Sequence, residues 1–271
     1  MVEIYYIRHS QTYYNAQKSW LQNQPDHPVE FRKHFLFLND PQFIDAELTD
    51  IGIKTSLKAR ELNSNITSKV RFVVTSPLIR AVKSVDLIFS NENVNMRPKV
   101  FIHPFLMSKL SSIYSLSFRV LDRLAEFPNF DFSMIEGSDK QVKLDWIIDK
   151  AVREEHRGPV RQLLSESDSA SNLEKALTVV KYMQSIYPDA IETRKDKFYK
   201  LQEFKRWLAQ FIIDNDVKDG ELAVLCHQLV LKSLVATKFD DNFKPSDTYK
   251  FANTELCCRK FEPRDYLPNL N

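Results

Sequence analysis

The chain has 271 residues, of which 43% are hydrophobic and 27% charged, a composition typical of a soluble globular protein. Because 38 lysines and arginines nearly balance 36 aspartates and glutamates, we expect neither nucleic acid nor a membrane as a partner, and anion binding must be local. No apolar stretch approaches the roughly 18 residues that span a bilayer, and a first strand beginning at Val2 leaves no room for a secretory or transit segment, so we expect a cytoplasmic protein.

The N-terminus is predicted to form a buried strand that ends at an arginine and a histidine. The run from Val2 to Ile7 is rich in aromatic and β-branched residues, and Arg8 and His9 follow it directly. In an α/β protein the end of such a strand forms the rim of a ligand crevice, so this pair is predicted to face a ligand. Residues 16–47 then carry three prolines among scattered aromatics, which indicates a mixed loop and helix excursion.

A helix and a strand are predicted next. Thr49 is placed to cap a helix over about residues 50–63. The apolar face of this helix is predicted to consist of Ile53, Leu57 and Leu62. Residues 70–75 are apolar and β-branched, which predicts a buried strand.

A second helix is predicted to begin directly after that strand. Ser76 is interpreted as its cap and Pro77 as its first helical residue, since Pro is favoured there. This start places Arg80 in the first turn, at the same sheet edge as His9. A further strand is predicted over residues 99–102.

The remaining chain is predicted to consist of an insertion and a return to the sheet. Residues 103–196 contain helical stretches with no dominant signal, and we interpret them as a cap. Apolar residues recur every three or four positions over residues 198–212, which predicts a helix. A strand over residues 221–226 ends at His227, and residues 254–261 alternate as a closing strand. We therefore predict one α/β domain over the whole chain, with a mostly parallel sheet flanked by helices and a helical cap insertion.

Neither a metal nor a cofactor is expected. Cys226, Cys257 and Cys258 are odd in number and show no Cys-x-x-Cys or histidine-rich spacing, which disfavours a disulfide framework and a structural zinc. The four glycines form neither a Gly-x-Gly-x-x-Gly pattern nor a P-loop, which disfavours a nucleotide site.

Four groups suited to phosphate chemistry are predicted to meet at one rim of the sheet. His9 and His227 each end a strand, Arg8 precedes His9, and Arg80 opens a helix after another strand. Phosphoryl transfer through a covalent phosphohistidine needs this set, because a neutral imidazole attacks while cations hold the phosphoryl oxygens. An adjacent arginine also disfavours protonation of the imidazole.

Four motifs along the chain carry a family resemblance. The octet Arg8-His9-Ser10-Gln11-Thr12-x-x-Asn15 resembles the Arg-His-Gly-[Glu/Gln]-Thr-x-x-Asn signature of the histidine phosphatase (phosphoglycerate mutase-like) superfamily. Residues 48–52 resemble its Leu-Thr-x-x-Gly motif, residues 75–81 its Ser-Ser-Pro-Leu-x-Arg-[Ala/Thr] motif, and residues 224–227 its second-histidine strand. The stretch from Phe127 to Ser133, with Glu136 and Asp139 after it, is similar to a eukaryotic branch found in plants and fungi.

The resemblance implies a role for each matching residue. His9 would be the phosphorylated nucleophile, with Arg8, Arg80 and His227 holding the phosphoryl oxygens. The resemblance also implies that Asn15 adds a neutral donor and that Thr12 lines the substrate pocket. Ser10 and Gln228, which follow the two histidines, are assigned to the same pocket, although both depart from the family pattern. The histidines without motif context are interpreted as surface or packed residues: His27, His34, His103 and His156.

The chain departs from the family at the proton donor. The family carries a Glu shortly after a Pro-x-Leu-x step, and in this chain Ser108 stands there. A hydroxyl is a poor general acid near neutral pH, and loss of such a group typically costs about 10² to 10⁴ in rate. The general acid is therefore unassigned, and the nearest later carboxylates are Asp122, Glu126 and Asp131.

The leading hypothesis is a metal-independent phosphomonoester hydrolase that acts through a phosphohistidine on His9. Its expected ligand is a phosphorylated small molecule or inorganic phosphate. Because Ser108 replaces the acid, and because Ser10 and Gln228 also depart from the family pattern, a second hypothesis is a catalytically impaired fold that serves as a binding or structural subunit with protein partners. A phosphoglycerate mutase-type phosphotransferase is the third, disfavoured because no Arg-Arg-Ser and Pro-Pro segment is found.

Overall fold

A mixed β-sheet forms the centre of the molecule. The computed structural model describes residues 1–23, 43–91, 97–110, 115–136, 152, 154–166, 170–186 and 192–267. In these residues the sheet has six strands, in the order β4-β3-β2-β5-β1-β6. The strands are β1 (Val2–Arg8), β2 (Phe72–Thr75), β3 (Lys99–Ile102), β4 (Phe130–Asp131), β5 (Leu222–Cys226) and β6 (Leu256–Phe261).

The first five strands in that order run parallel, and β6 closes one edge as an antiparallel neighbour of β1. Parallel strands end at the same edge of a sheet, so the residues that follow β1, β2 and β5 emerge side by side. The predicted fold class, a mostly parallel sheet flanked by helices, is confirmed.

Helices cover both faces of the sheet. They are α1 (Tyr13–Gln22), α2 (Asp50–Leu62), α3 (Ser64–Thr67), α4 (Ile79–Phe89), α5 (Glu154–Ser165), α6 (Asn172–Ile186), α7 (Arg194–Asp214) and α8 (Gln228–Val235). Alternate strand residues point to opposite faces. One face packs on α7 and α8 through Ile4, Tyr6, Val74, Val224, Phe204 and Leu231. The other packs on α2 and α4 through Ile7, Val73, Leu225, Ala59 and Val85.

The structure corrects two predictions about the helices. In α2 the buried residues are Gly52, Ser56 and Ala59, whereas Ile53 is 39% and Leu62 is 71% exposed, so the predicted apolar face was wrong. Small residues face inward because α2 lies close against its neighbours. The helix predicted to begin at Pro77 begins two residues later, at Ile79, although Arg80 is in its first turn as predicted.

The stretch predicted to be a cap shares a buried core with the sheet domain and contributes one strand. Leu116, Phe118 and Val160 pack with Ile79 and other residues of the sheet domain in one buried cluster. Within the stretch predicted to be a cap, β4 joins the sheet beside β3. The assignment of residues 103–196 to a cap stays a prediction, and several of them lie outside the described residues. No helix in the described part of the chain is long and apolar enough to cross a membrane.

Gly52 permits the close contact that joins α2 to the segment after β1. A Cβ atom built on Gly52 would lie 2.1 Å from the carbonyl oxygen of Gln11. That carbonyl accepts a hydrogen bond from the backbone N–H of Thr49, while the Thr49 hydroxyl caps α2 by accepting one from the N–H of Gly52. The glycine of the Leu-Thr-x-x-Gly motif therefore has a packing role.

Replacing Gly52 by alanine should lower the free energy of unfolding by roughly 1–3 kcal/mol, because the new methyl group forces backbone atoms apart. Urea unfolding measures the change. The matched control is Gly158→Ala in α5, where a Cβ meets nothing within 4 Å and the expected change is under about 1 kcal/mol. Equal stabilities for the two variants would contradict this account.

Candidate active site

The register of β1 and β5 brings the two strand-end histidines together. Arg8 pairs with Cys226 in the parallel ladder, so the next residues, His9 and His227, leave the sheet as neighbours. Their ring centroids lie 5.0 Å apart. Both side chains are buried, at 4% and 3% exposure. The structure therefore brings His9 and His227 together, as the sequence predicts.

The hydrogen bond of His9 selects one tautomer. Nδ1 lies 2.7 Å from the carbonyl oxygen of Ser10. Because a carbonyl only accepts, Nδ1 carries the hydrogen, and Nε2 of the neutral ring keeps its lone pair. Burial, then the charges of Arg80 and Arg8, lower the pKa of His9 well below its usual 6.5. Near neutral pH the side chain is therefore an uncharged imidazole with a free nucleophilic nitrogen.

His227 is held from the neighbouring strand end. Its Nε2 lies 2.8 Å from the hydroxyl oxygen of Ser76. Its Nδ1 is buried and has no hydrogen-bond partner among the described residues. Burial, then Arg80 and His9, lower the pKa of His227 well below 6.5. Ser76 was predicted to cap α4, but Leu78 occupies the N-cap position of that helix without a side-chain bond, and Ser76 instead contacts the site.

Two arginines supply positive charge beside the imidazoles. Nη1 of Arg8 donates a hydrogen bond to the carbonyl of Phe251 at 2.8 Å, which fixes the guanidinium against the loop before β6. Arg80 is 5% exposed and comes from the first turn of α4. Since both guanidinium groups remain charged near neutral pH, they favour a bound anion.

The histidines and arginines open into one cleft of about 450 Å³. Its lining residues are Arg8, His9, Gln11, Tyr14, Asn15, Lys18, Ser19, Gln22, Arg80, Ser108, His227, Gln228, Leu229, Lys250 and Asn253. Within the described part of the chain this lining contains four cationic side chains and no carboxylate. The cleft is therefore suited to a negatively charged ligand.

Of the four residues predicted to form the substrate pocket, two line the cleft and two do not. Asn15 and Gln228 line the cleft, and both amide atoms of Gln228 are buried without a hydrogen-bond partner in the described residues. Ser10 and Thr12 do not line it. The Ser10 hydroxyl hydrogen-bonds to the Ser56 hydroxyl, and Thr12 caps α1 by accepting a bond from the N–H of Asn15. The backbone φ of Ser10 is negative, so a serine fits there without strain.

Ser108 does lie in the cleft, where the family resemblance places the proton donor. The later carboxylates point elsewhere. Asp122 accepts a bond from Asn172, Glu126 pairs with Arg123, and Asp131 accepts the backbone N–H of Ser133. None of these three carboxylates lines the cleft.

Sequence reasoning missed a buried carboxylate behind Arg80. Asp45 is fully buried and accepts backbone N–H bonds from Ile79, Phe118 and Arg119. Burial raises its pKa to about 6, against the opposing effects of Arg80 and of these bonds. Asp45 thus connects the start of α4 to the backbone at Phe118 and Arg119. Asp45 lies three residues before the Leu-Thr-x-x-Gly motif, and no sequence pattern marks it as a site residue.

The buried histidines should make the protein less stable in acid. Unfolded histidines bind protons with a pKa of about 6.5, whereas folded His9 and His227 resist protonation, so lowering the pH below about 6.5 favours the unfolded chain. Asp45, with its folded pKa of about 6, acts in the opposite direction below that pH. We expect a net loss of roughly 3 kcal/mol between pH 7 and pH 5.

Urea unfolding at several pH values measures this loss. The His9→Gln variant removes one of the two resisting imidazoles, so over the same range it should lose about 2 kcal/mol less than the unmodified protein. Parallel pH dependences for the two proteins would show that His9 is protonated as readily in the folded state as in the unfolded state.

No group of three or more metal-ligating side chains occurs among the described residues. His103 is buried against Phe204 and Trp207 and is a packed residue, as predicted. His156 contacts Tyr182, while His27 and His34 lie outside the described residues.

The fold is shared with solved phosphatases of low sequence identity. The ecdysone phosphate phosphatase from Bombix mori, solved with tungstate, is 13% identical with a TM-score of 0.51, over 97% of this chain and 90% of that chain. A candidate alpha-ribazole-5'-P phosphatase from Escherichia coli is 16% identical with a TM-score of 0.50, over 97% of this chain and 92% of that one. No protein-family model and no curated protein sequence matches the chain.

Proposed function

We propose that this chain, which has the phosphoglycerate mutase-like fold of the histidine phosphatases, hydrolyses small phosphomonoesters through a phosphohistidine on His9. The observation that carries the proposal is the pair of uncharged imidazoles 5.0 Å apart in a cleft that Arg8 and Arg80 line. A neutral nucleophile and fixed cations are the requirements of metal-independent phosphoryl transfer. The shared fold with the ecdysone phosphate phosphatase, and with a candidate phosphatase, supports the same class of reaction.

The reaction has two displacements. In the first, the lone pair of His9 Nε2 forms a bond to phosphorus while the bond from phosphorus to the ester oxygen breaks, and the leaving oxygen takes its proton from solvent water, because no described carboxylate lines the cleft. In the second, water attacks phosphorus and releases a proton to solvent, the bond to Nε2 breaks, and inorganic phosphate leaves. Arg8 and Arg80 balance the charge of the phosphoryl oxygens in both steps, and His227 contributes a hydrogen bond to one of these oxygens.

Ser108 favours a second function, the binding of a phosphorylated ligand without turnover. A serine hydroxyl in the cleft does not supply the proton that an alcohol leaving group needs, whereas the groups that hold a phosphoryl group are all in place. A protein of this kind would use the cleft to recognise a phosphate-bearing partner or metabolite.

One experiment separates the two functions. The purified protein is mixed with an aryl phosphomonoester, phosphate release is followed, and samples denatured in alkali are assayed for protein-bound phosphate, because phosphohistidine survives alkali. Hydrolysis together with a labelled protein supports the enzyme. Saturable binding of phosphate or vanadate, with neither release nor label, supports the binding protein and contradicts the hydrolase.

A further inference from the structure

We propose that the ligand of this cleft carries, beyond its phosphoryl group, a second anionic group that Lys18 and Lys250 bind. The inference rests on the proposed function, since it takes the phosphoryl group to lie between His9 and the two arginines. It assigns a chemical class to the substrate: a phosphomonoester bearing a carboxylate or a second phosphate on the portion distant from the reacting phosphorus.

The size of the cleft indicates a molecule larger than phosphate. Its volume of about 450 Å³ lies within the range of small-molecule sites, about 300–1,000 Å³. The histidines and arginines occupy only one part of its wall. The rest of the cleft must therefore recognise the remainder of the ligand.

Helix α1 presents a polar face to that remainder. Asn15, Lys18, Ser19 and Gln22 all line the cleft, and their spacing of three, one and three residues places them on one side of the helix. With a rise of 1.5 Å per residue, Lys18 lies about 4.5 Å farther along the axis than Asn15. Because α1 begins just after His9, Lys18 lies on the side of Asn15 that is away from the phosphoryl site.

Lys250 lies on a loop that is hydrogen-bonded to Arg8 and to the backbone of His9. The carbonyl of the next residue, Phe251, accepts a hydrogen bond from Arg8 at 2.8 Å, and Nδ2 of Asn253 donates one to the carbonyl of His9 at 2.7 Å. These two bonds fix the backbone beside Lys250 relative to the phosphoryl site. Lys250 is therefore held at the rim of the cleft.

The charges of the cleft exceed what one phosphomonoester needs. The two negative charges of the phosphoryl group match Arg8 and Arg80, which leaves Lys18 and Lys250 in a lining without a described carboxylate. The whole chain has 38 basic and 36 acidic residues, so this local excess does not follow from composition. The ion pairs among the described residues include neither Lys18 nor Lys250.

Gln228 adds an independent sign of a polar ligand. Both polar atoms of its amide are buried at the cleft without a described hydrogen-bond partner, and an unpaired buried amide is unfavourable until a ligand pairs with it. A ligand with hydroxyl or carboxylate oxygens near its phosphate would make these bonds.

The test compares three substrates that share a three-carbon skeleton: glycerol 3-phosphate, 3-phosphoglycerate and propane-1,3-diol bisphosphate. We expect kcat/KM to be about tenfold higher for the doubly anionic substrates than for glycerol 3-phosphate, from two partly exposed ion pairs. The substrate with the higher value identifies the second group as carboxylate or phosphate. In the double variant Lys18→Gln, Lys250→Gln the ratio of kcat/KM for the doubly anionic substrates to kcat/KM for glycerol 3-phosphate should fall to about one. The matched control is Lys54→Gln, an exposed helical lysine outside the cleft, which should keep the ratio of the unmodified protein.

Calorimetric titration of the same three compounds keeps the inference separate from the proposed function. If nothing is hydrolysed, yet the doubly anionic compounds bind about tenfold more tightly and the double variant loses this difference, the hydrolase is excluded and the second anion site stands. Equal affinities and equal kcat/KM values for all three compounds would overturn it, as would a preference that survives in the double variant.

Discussion

Replacing His9 by alanine should lower kcat for phosphomonoester hydrolysis by at least about 10³-fold and remove the alkali-stable protein-bound phosphate. The reason is that Nε2 of His9 is the nucleophile of the proposed reaction, and loss of a covalent nucleophile typically costs 10³ to 10⁶ in rate. Because Arg8 and Arg80 remain, phosphate should still bind. The measurements are kcat with an aryl phosphate and the dissociation constant of inorganic phosphate.

A matched control distinguishes this loss from a general effect of emptying a buried site. His103 is also a buried imidazole, at 2% exposure, but it packs against Phe204 and Trp207 and does not line the cleft. His103→Ala should reduce stability and leave kcat per folded molecule within about threefold, because it touches none of the reacting groups. A His9→Ala protein that keeps a tenth of the unmodified kcat would contradict the assigned nucleophile.

The sequence was sufficient to predict which residues converge at the sheet edge. Buried parallel strands read as short apolar runs, and the polar residue that follows each run must emerge at the same edge. This argument predicts that His9, His227 and Arg80 lie together. In the structure the pairing of Arg8 with Cys226 places His9 beside His227, and Arg80 lines the same cleft.

Other parts of the site depend on tertiary packing and have no local pattern. Ser10 follows His9 in the motif, yet its hydroxyl turns to Ser56 on α2, which lies 46 residues away along the chain. Asp45 accepts hydrogen bonds from backbone groups of α4 and of Phe118, which are distant from each other in the sequence, so its role exists only after these segments meet. Lys250 enters the cleft because Arg8 holds its loop, and no periodicity marks such a loop.

Replacing Ser108 by glutamate should raise the rate of alkyl phosphomonoester hydrolysis by about 10²-fold or more, the lower end of what general acid catalysis contributes. Ser108 lines the cleft on a backbone that is firmly held. Nζ of Lys197 donates hydrogen bonds to the carbonyls of Phe105 and Met107 at 2.8 Å and 2.5 Å, and the N–H of Leu110 donates to Glu192 at 2.7 Å. A carboxyl group introduced here would therefore share the cleft with the phosphoryl group.

The gain in rate should depend on the leaving group and on the pH. An alkoxide needs a proton to leave, whereas the phenolate of a nitrophenyl ester leaves without one, so the gain should be large for the alkyl ester and small for the aryl ester. Arg8 and Arg80 favour the ionised form of a nearby carboxyl group. Only the protonated form donates, so the gain should increase as the pH falls below about 7. The lowered pKa of His9 favours its neutral, nucleophilic form over this change.

The isosteric variant Ser108→Gln separates proton donation from a change in the shape of the cleft. It fills the same volume without an acidic proton, so its alkyl phosphatase rate should stay near that of the unmodified protein. If Ser108→Glu and Ser108→Gln hydrolyse alkyl esters at equal rates, a donor at this position is not what limits the reaction. If only the glutamate variant gains activity, and His9→Ala abolishes the gain, then the nucleophile and the phosphate-binding groups are competent and the serine alone restricts turnover of alkyl esters.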